Sequence, residues 1–467
     1  MVIVGMGSGG MVAAEFAASL GLRVAVVERG RVGGDCLWTG CVPSKALLAS
    51  AKAAHTMRVA DRYGLPSVEP EIDTSLVWKR IRAVQQEVAA TDDNPDRYRA
   101  LGVELVAGTA RLTGPNTVTV TGEDGASREI ETRFVLLCTG SRPAVPPIEG
   151  LAEAGYLTSE TVFELERAPR SVVMIGGGPI AIEMAQGFSR LGISVTVLQK
   201  GPGILPRDEP DLVAVLTRLL GEDGVDLRVN VETTRVGVEG RTKVVHGAEA
   251  GQPGRWEAEE LLVAVGRRPN AEGLGLEEVG VEVGPKGVVV DGRMRTSVPS
   301  VYAAGDLAGR FLFTHSAAYE GVRAIRDMFF PGKGTVTDFV PWCTFTDPEL
   351  AHAGMTVAEA KARWGDDVDV WQMELAHSDR ARADAASDGA IVVVTHGKSV
   401  VGAHILAPSA GEMIHELALA INRGLGFSDM ASLIHVYPTL STSIGQLAAE
   451  AAFEGARRLR WLVRREK

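Results

Sequence analysis

Apolar residues in this chain come in short runs closed by glycine, and the runs alternate with longer stretches of helical period. Val2-Ile3-Val4 predicts a buried strand, Gly5-Met6-Gly7-Ser8-Gly9-Gly10 a tight turn, the alanine-rich stretch to about Leu20 a helix, and Arg23 to Val27 a second strand ending in Glu28. About 170 residues later the order returns, with strand Ser171 to Ile175, turn Gly176-Gly177-Gly178-Pro179-Ile180-Ala181, helix Ile182 to Leu191, and strand Ser194 to Leu198 ending at Gln199-Lys200. Three further apolar runs predict strands that end in small-residue turns. These are Phe134 to Cys138 before Thr139-Gly140-Ser141, Leu261 to Val265 before Gly266-Arg267-Arg268-Pro269-Asn270, and Val301 to Ala304 before Gly305-Asp306. From about residue 340 the pattern changes. Strands at Ile391 to Val394 and Val400 to Ile405 alternate with helices at Thr356 to Trp364 and Gly411 to Asn422, with no glycine turn of the earlier kind, which predicts a separate α+β domain.

Strand, glycine turn, helix, strand and acid within about 30 residues form the full dinucleotide-binding context. The glycines let the backbone approach a pyrophosphate, the helix N-terminus supplies unpaired N–H groups, and Glu28 is placed to accept from ribose hydroxyls. Two such units imply two dinucleotides, one donating electrons to the other. At the second strand end Gln199 stands where an acid is expected, so nothing there repels a 2′-phosphate, and Lys200 is suited to bind one. This favours NADPH, with NADH the alternative.

Composition narrows the class. The 467 residues suffice for about three domains. A net charge of −11 gives no general attraction to nucleic acid or acidic membranes, and the basic tail Arg457-Arg458-Leu459-Arg460-Trp461 reads as a solvated helix end. Four cysteines argue against a disulfide-stapled secreted protein. No apolar run approaches the ~20 residues of a membrane span. A cytoplasmic protein is expected.

Cys36 and Cys41 stand five residues apart, just downstream of the first glycine turn. Cys-x₄-Cys is not a zinc spacing, and no neighbouring Cys/His pair completes four ligands, so no resident metal is expected. Two sulfurs at a helix start can close a disulfide while the helix terminus stabilises a thiolate. Sulfur chemistry beside a redox cofactor is the simplest reading. Cys138 and Cys343 each sit alone in an apolar strand and read as small core residues.

These motifs together resemble the pyridine nucleotide–disulfide oxidoreductases of the glutathione reductase, dihydrolipoamide dehydrogenase and mercuric reductase group, essentially end to end. The resemblance rests on the first fingerprint, Cys36-Leu37-Trp38-Thr39-Gly40-Cys41-Val42-Pro43-Ser44-Lys45, Thr139-Gly140-Ser141, the second fingerprint with Glu183, Gly266 to Asn270, Ala304-Gly305-Asp306, and Phe345-Thr346-Asp347-Pro348-Glu349. It implies an α/β fold with two Rossmann-like dinucleotide-binding domains and a C-terminal α+β interface domain. FAD would occupy residues 1–150 with 271–339, NAD(P)H residues 151–270, and the homodimer interface residues 340–467. By the same resemblance Cys36 would be the interchange thiol, Cys41 the thiol in charge-transfer contact with the flavin, Lys45 a residue near flavin N5 paired with Glu183, and Asp306 a ligand of the ribityl chain. Cofactor contacts are expected at Gly5, Gly7, Ser8, Gly9, Gly10, Glu28, Arg29, Gly34, Lys45, Ala110, Thr139, Gly140, Ser141, Gly176, Gly178, Ile180, Glu183, Gln199, Lys200, Gly266, Asp306 and Thr314.

The chain leaves the pattern near its C-terminus. Disulfide-reducing relatives carry His-Pro-Thr there with a Glu five residues after the His, a general acid/base pair. Here Tyr437 occupies the histidine position and Thr442 the glutamate position. A phenol of pKa about 10 is a poor proton shuttle at neutral pH. His435 is the nearby candidate to replace it. Between the cysteines Trp38-Thr39 replaces the commoner Asn-Val, adding bulk, and Asp35 replaces Thr, adding a charge that disfavours a nearby thiolate. His315 reads as structural and His377 as a surface-loop residue.

The expected activity is an FAD-dependent NAD(P)H oxidoreductase passing electrons through Cys36–Cys41 to a metal ion, quinone or unusual disulfide, as in mercuric-reductase-like members. The alternatives are a dihydrolipoamide dehydrogenase with His435 as displaced acid/base, or an electron-transfer flavoprotein with vestigial disulfide turnover. The expected partners are a small-molecule or metal acceptor and a second copy of the chain, with no nucleic acid or membrane.

Overall fold

In the computed structural model, which describes residues 1–332 and 334–458, the strand Val2–Val4 sits in the middle of a five-stranded parallel sheet. Its order is Val301–Ala303, Val135–Leu137, Val2–Val4, Ala25–Glu28 and Glu104–Ala107, with Val2 in register with both Ala25 and Val135. Alternate side chains enter different cores, as the two-residue strand period requires. Ile3 packs with Ala13, Ala14 and Ala17 of helix α1 (Ser8–Ser19) and with Ala324 and Ile325 of the helix Thr314–Phe329. Val2 and Val4 pack on the opposite face with Leu112, Val118 and Val120. Those three residues belong to an antiparallel meander, Thr109–Gly114, Thr117–Thr121 and Ser127–Glu131.

The described chain divides into two compact units. One comprises Met1–Leu47, Asp73–Pro169 and Glu260–Asp338, and the other Leu48–Ile72, Arg170–Glu259 and the residues from Phe339 onward. The second unit contains the repeated fingerprint as parallel strands Val225–Arg228, Ser194–Leu198 and Ser171–Ile175, with the helix Pro179–Arg190. That helix starts three residues earlier than the hydrophobic period suggests, because Pro179 has the fixed φ suited to a first helical turn. A second antiparallel meander follows, Val231–Glu239, Thr242–Glu249 and Gln252–Ala258. The C-terminal part is a five-stranded antiparallel sheet ordered Trp342–Thr344, Glu349–Gly354, Ser399–Ala407, Ala390–His396 and Val368–Glu374. Helices Ala410–Arg423 and Thr442–Arg458 complete its core through Leu417, Ile444 and Leu447. Of the basic tail, Arg457 is exposed, while Leu459, Arg460 and Trp461 lie outside the described residues.

Two buried histidines face each other across this sheet, His352 in register with His404, their rings 4.6 Å apart. Trp342 stacks on His352 at 3.6 Å and donates its indole N–H to Asp208. Each Nε2 meets a carbonyl oxygen, Gly354 at 2.8 Å and Met355 at 2.9 Å, so both rings are Nε2–H tautomers. Burial lowers His352 to about 3 and His404 to about 4, and it raises Asp208 to about 6. Below about pH 6.5 the unfolded chain takes up two protons that the folded histidines refuse, which costs stability as pH falls. Asp208 works the other way from about 6 downward, so one net proton remains. His404 and Asp208 are common to wild type and His352→Phe, so the stability difference between them reports the one proton of His352 and should change by about 1.4 kcal/mol per pH unit between pH 6 and 4 in urea titrations. A pH-independent difference would contradict the buried neutral ring.

Candidate active site

The redox loop is shaped by glycine. Gly33 (φ +102°) and Gly34 (φ +55°) both lie in the left-handed region, and a Cβ on Gly34 would stand 2.8 Å from Gly7 Cα. This close approach lays the start of helix α2 (Gly34–Trp38) against the first fingerprint. The chain then turns at Thr39-Gly40 and restarts as helix α3 (Cys41–Arg58). The cysteines therefore do not share one helix start. Cys41 is the first residue of an 18-residue helix, whereas Cys36 sits inside its own short one.

Both are free thiols, Cys36 half-buried and Cys41 exposed. Cys36 is hydrogen-bonded to Cys41, and Cys41 Sγ lies 3.3 Å from Thr314 Oγ1. The Cys36 thiol is pushed well up by its hydrogen bond with Cys41, by burial and by the charge of Cys41, while Thr314 and Ser8 act in the opposite sense. Cys41 stands at the positive N-terminal end of α3.

Two of the unusual loop residues are engaged elsewhere. Trp38 donates to Val32 O at 2.8 Å beneath Arg31, whose guanidinium lies 4.3 Å from the ring centroid. Asp35, expected to oppose a thiolate, is instead ion-paired with Arg267. Arg267 also donates to Ser141 Oγ at 2.6 Å, and Ser141 donates to Asp306 at 2.5 Å. Burial raises the Asp306 carboxyl, with Ser141 and Arg267 pulling it down.

The other expected residues of the first unit fall around the same sheet. Glu28, at the end of its strand, accepts from Met6 N–H at 2.6 Å and Gly30 N–H at 2.7 Å, and Arg29 beside it is exposed. Thr139 and Asn270 exchange two hydrogen bonds, at 2.9 and 3.0 Å, holding Gly140 (φ +67°) open on its Cβ side. Gly266 (φ +141°) accepts from Ala144 N–H at 2.9 Å. The Ala110 methyl is packed in the core, which leaves only its backbone to meet a ligand. His315 stacks on Phe313 at 5.3 Å. Cys138 is buried, its thiol raised to about 12 by burial. Lys45 belongs to this unit, on α3, and Glu183 to the other, where its buried carboxylate accepts from Phe345 N–H at 2.9 Å.

In the second unit Gly176 (φ +119°) closes the strand and Gly178 caps the helix, with no atom within 4 Å of the place a Cβ would take. Gln199 folds back over Gly177 and donates to Gly203 O at 3.2 Å. Lys200 and Ile180 are exposed. Near the C-terminus Tyr437 is 65% exposed and donates to Asp379 at 2.8 Å, which raises its phenol pKa. His435 points elsewhere. Its Nε2 meets Glu416 at 3.0 Å, its Nδ1 meets Leu433 O at 3.2 Å, and its ring covers Gly445. Thr442 opens its helix and donates to Val436 O at 3.0 Å. His377 is exposed, and Cys343 lies half-buried against the C-terminal core.

The pyridine nucleotide-disulphide oxidoreductase domain matches residues 1–321, and the dimerisation domain of the same proteins matches residues 340–448. The chain belongs to the pyridine nucleotide–disulfide oxidoreductase family. It is 36% identical to dihydrolipoyl dehydrogenase of Thermus scotoductus, over 98% of each chain. It is 35% identical to mercuric reductase of Streptomyces lividans, over 96% of this chain and 95% of the other. Among solved structures, LpdA of Mycobacterium tuberculosis superposes with a TM-score of 0.88 at 26% identity, covering 96% of this chain and 99% of that one. A Cu(II) complex of the HOCl-induced flavoprotein disulfide reductase RclA of Escherichia coli gives 0.85 at 26% identity, covering 96% and 98%. The protein is thus an oxidoreductase whose family uses FAD and NAD(P)H, and its dimerisation domain supports a homodimer. Among the described residues no helix is long and apolar enough to cross a membrane, and no group of three or more His, Cys, Asp or Glu side chains is arranged to hold a metal ion.

The residues of this oxidoreductase fit both cofactors. Each fingerprint helix begins at a glycine, Gly7 or Gly178, without a side-chain cap, which leaves its N-terminal donors to an anion. The absence of a Cβ at Gly34 lets its backbone lie directly against Gly7 at the fingerprint turn. When bound, a flavin supplies two-electron transfer between nicotinamide and sulfur. Sequence reasoning missed the Asp35–Arg267 pair, the Asp379 partner of Tyr437 and the Glu416 partner of His435. Arg267 was visible as part of a motif, but nothing in the spacing revealed which carboxylate it would reach.

Proposed function

We propose that this enzyme reduces a thiol-reactive metal ion with NADPH, and that lipoamide is not its substrate. The observation that carries this reading is Tyr437, in the position where disulfide-reducing relatives place a catalytic histidine. Reduction of a disulfide leaves a thiolate that must be protonated, and a phenol whose pKa is raised by Asp379 is a weak donor for that step. Reduction of a divalent metal, NADPH + Hg(II) → NADP⁺ + H⁺ + Hg(0), needs no proton at a leaving sulfur. His435, the displaced candidate, is held by Glu416 and by Leu433 O within its own unit. Similarity to mercuric reductases and to a reductase captured as a Cu(II) complex supports a metal acceptor.

In this reading Cys36 meets the acceptor, Cys41 stands on the flavin side, and Tyr437 with its exposed neighbours Ile434 and Val436 belongs to a dimer face. FAD is assigned to residues 1–150 with 271–339 and NADPH to residues 151–270, with Gln199 and Lys200 selecting the 2′-phosphate. NADPH oxidation should run at least ~100-fold faster with thiol-complexed Hg(II) or Cu(II) than with lipoamide, the usual worth of a general acid. Rapid lipoamide turnover would overturn the proposal, and turnover of a quinone alone would replace the metal with a quinone acceptor.

A further inference from the structure

Tyr437 is held from both sides within its own unit. The carbonyl of Val436, one residue before it, accepts from Thr439 Oγ1 at 2.8 Å and from Thr442 Oγ1 at 3.0 Å. The carbonyl of Pro438, one residue after it, lies 3.5 Å from Arg380 Nη1. The phenol itself is fixed by Asp379, whose Oδ2 accepts its hydrogen bond at 2.8 Å, while Asp379 Oδ1 lies 3.9 Å from Arg382 Nη1. Asp379 opens the short helix Asp379–Ala383. Leu375 and Ala381, both wholly buried in the C-terminal core, seat that helix, and Ser378 Oγ accepts from Ala381 N–H at 3.5 Å. The carboxylate therefore stands on a fixed support and meets the phenol of a braced turn.

A phenol has one hydrogen to donate and lone pairs to offer, whereas an ionised carboxylate only accepts. With its hydrogen given to Asp379, Tyr437 has only lone pairs left for a third group. Lone pairs suit a cationic metal, but they supply nothing to the sulfur that leaves a disulfide. A free hydroxyl rotor would serve either. We propose that Asp379 is a positioning residue that determines specificity, because holding the Tyr437 hydroxyl hydrogen turns the phenol toward metal ions and against disulfides. The selectivity comes partly from what the phenol withholds. This rests on the reading that Tyr437 serves the acceptor in place of the relatives' histidine.

The test uses the FAD-loaded full chain and reads the ratio of NADPH oxidation with thiol-complexed Hg(II) to that with lipoamide, both saturating. Asp379→Ala frees the hydroxyl and should narrow the ratio about tenfold, roughly the worth of one hydrogen bond to a charged group. The Hg(II) rate should fall and the lipoamide rate should not. Asp379→Asn keeps an oxygen that accepts from the phenol and should stay within about threefold of the wild-type ratio. In a Tyr437→Phe background Asp379→Ala should leave the ratio of that background unchanged, because the group it acts through is gone. The Asp379 side chain is 60% exposed, so its truncation removes no core packing. If Asp379→Ala still does not fold, Asp379→Lys replaces it, since an ammonium only donates and leaves the phenol hydrogen free. Equal loss of both activities in Asp379→Ala would mean a loosened turn and would overturn the proposal, as would the same narrowing in the Tyr437→Phe background. A wild type that prefers Hg(II), with an unchanged ratio in Asp379→Ala, overturns this proposal alone. Rapid lipoamide turnover by wild type overturns the metal reading with it.

Discussion

Cys36→Ser should lower NADPH-driven reduction of thiol-complexed Hg(II) on the order of 1000-fold while leaving the fold intact. The nucleophile and metal ligand is a thiolate, and a serine hydroxyl is not ionised to any useful extent at neutral pH. Cys36 is half-buried in a short helix whose placement comes from Gly33, Gly34 and Leu37, so exchange of sulfur for oxygen removes no packing the loop depends on. The variant should bind FAD normally and melt within about 2 °C of wild type, consistent with a small substitution outside the core. Steady-state NADPH oxidation with the metal complex checks it. Residual turnover within tenfold of wild type would place the acceptor at another group.

Gly10→Ala should be strongly damaging to both stability and FAD retention. A Cβ at Gly10 would overlap the carbonyl oxygen of Gly5 and lie 3.0 Å from its carbon. Both atoms are backbone and neither can swing aside. Gly5 is itself fixed by its hydrogen bond to Val27 O at 2.8 Å, and α1 is held from the other side by Gly321, whose own Cβ would stand 2.7 Å from Gly9 O. The expected cost is about 3 kcal/mol, with FAD lost from the purified protein. Gly178→Ala in the second fingerprint is the contrast, since open space surrounds that position. It should leave stability within about 0.5 kcal/mol and raise KM for NADPH about tenfold or more, because the methyl stands where a pyrophosphate must approach the backbone. Urea midpoints, bound-flavin absorbance and KM separate the two. Equal stability for both variants would refute the packing argument.

The sequence was most legible where chemistry demands particular residues at fixed spacing. Both fingerprints, the Cys36–Cys41 loop and the strands Val2–Val4, Ser171–Ile175 and Val301–Ala303 stand where their motifs implied. The meanders at Thr109–Glu131 and Val231–Ala258 were not anticipated. Their strands are half-polar, with Thr117, Thr119 and Thr121 alternating with buried Val118 and Val120, and such alternation is quiet beside continuous apolar runs. Side-chain pairings were the least legible part of the site. Asp35 reaches a residue 232 positions away and His435, in a loop, one 19 positions away on the helix Ala410–Arg423, and no periodicity encodes either choice.

The sheet order sets a timetable for synthesis. Val2–Val4 leaves the ribosome first, yet one of its two neighbours is Val135–Leu137, which in turn has Val301–Ala303 on its far side. At about 5–20 residues per second, roughly 15 to 60 s separate the first strand of that sheet from the last. Until Val301–Ala303 emerges, the apolar edge of Val135–Leu137 has no partner and can pair with any other nascent chain. Yield of this oxidoreductase in a heterologous host is therefore a question of who occupies that edge in the meantime, and slower synthesis at low temperature lengthens the wait as well as slowing aggregation.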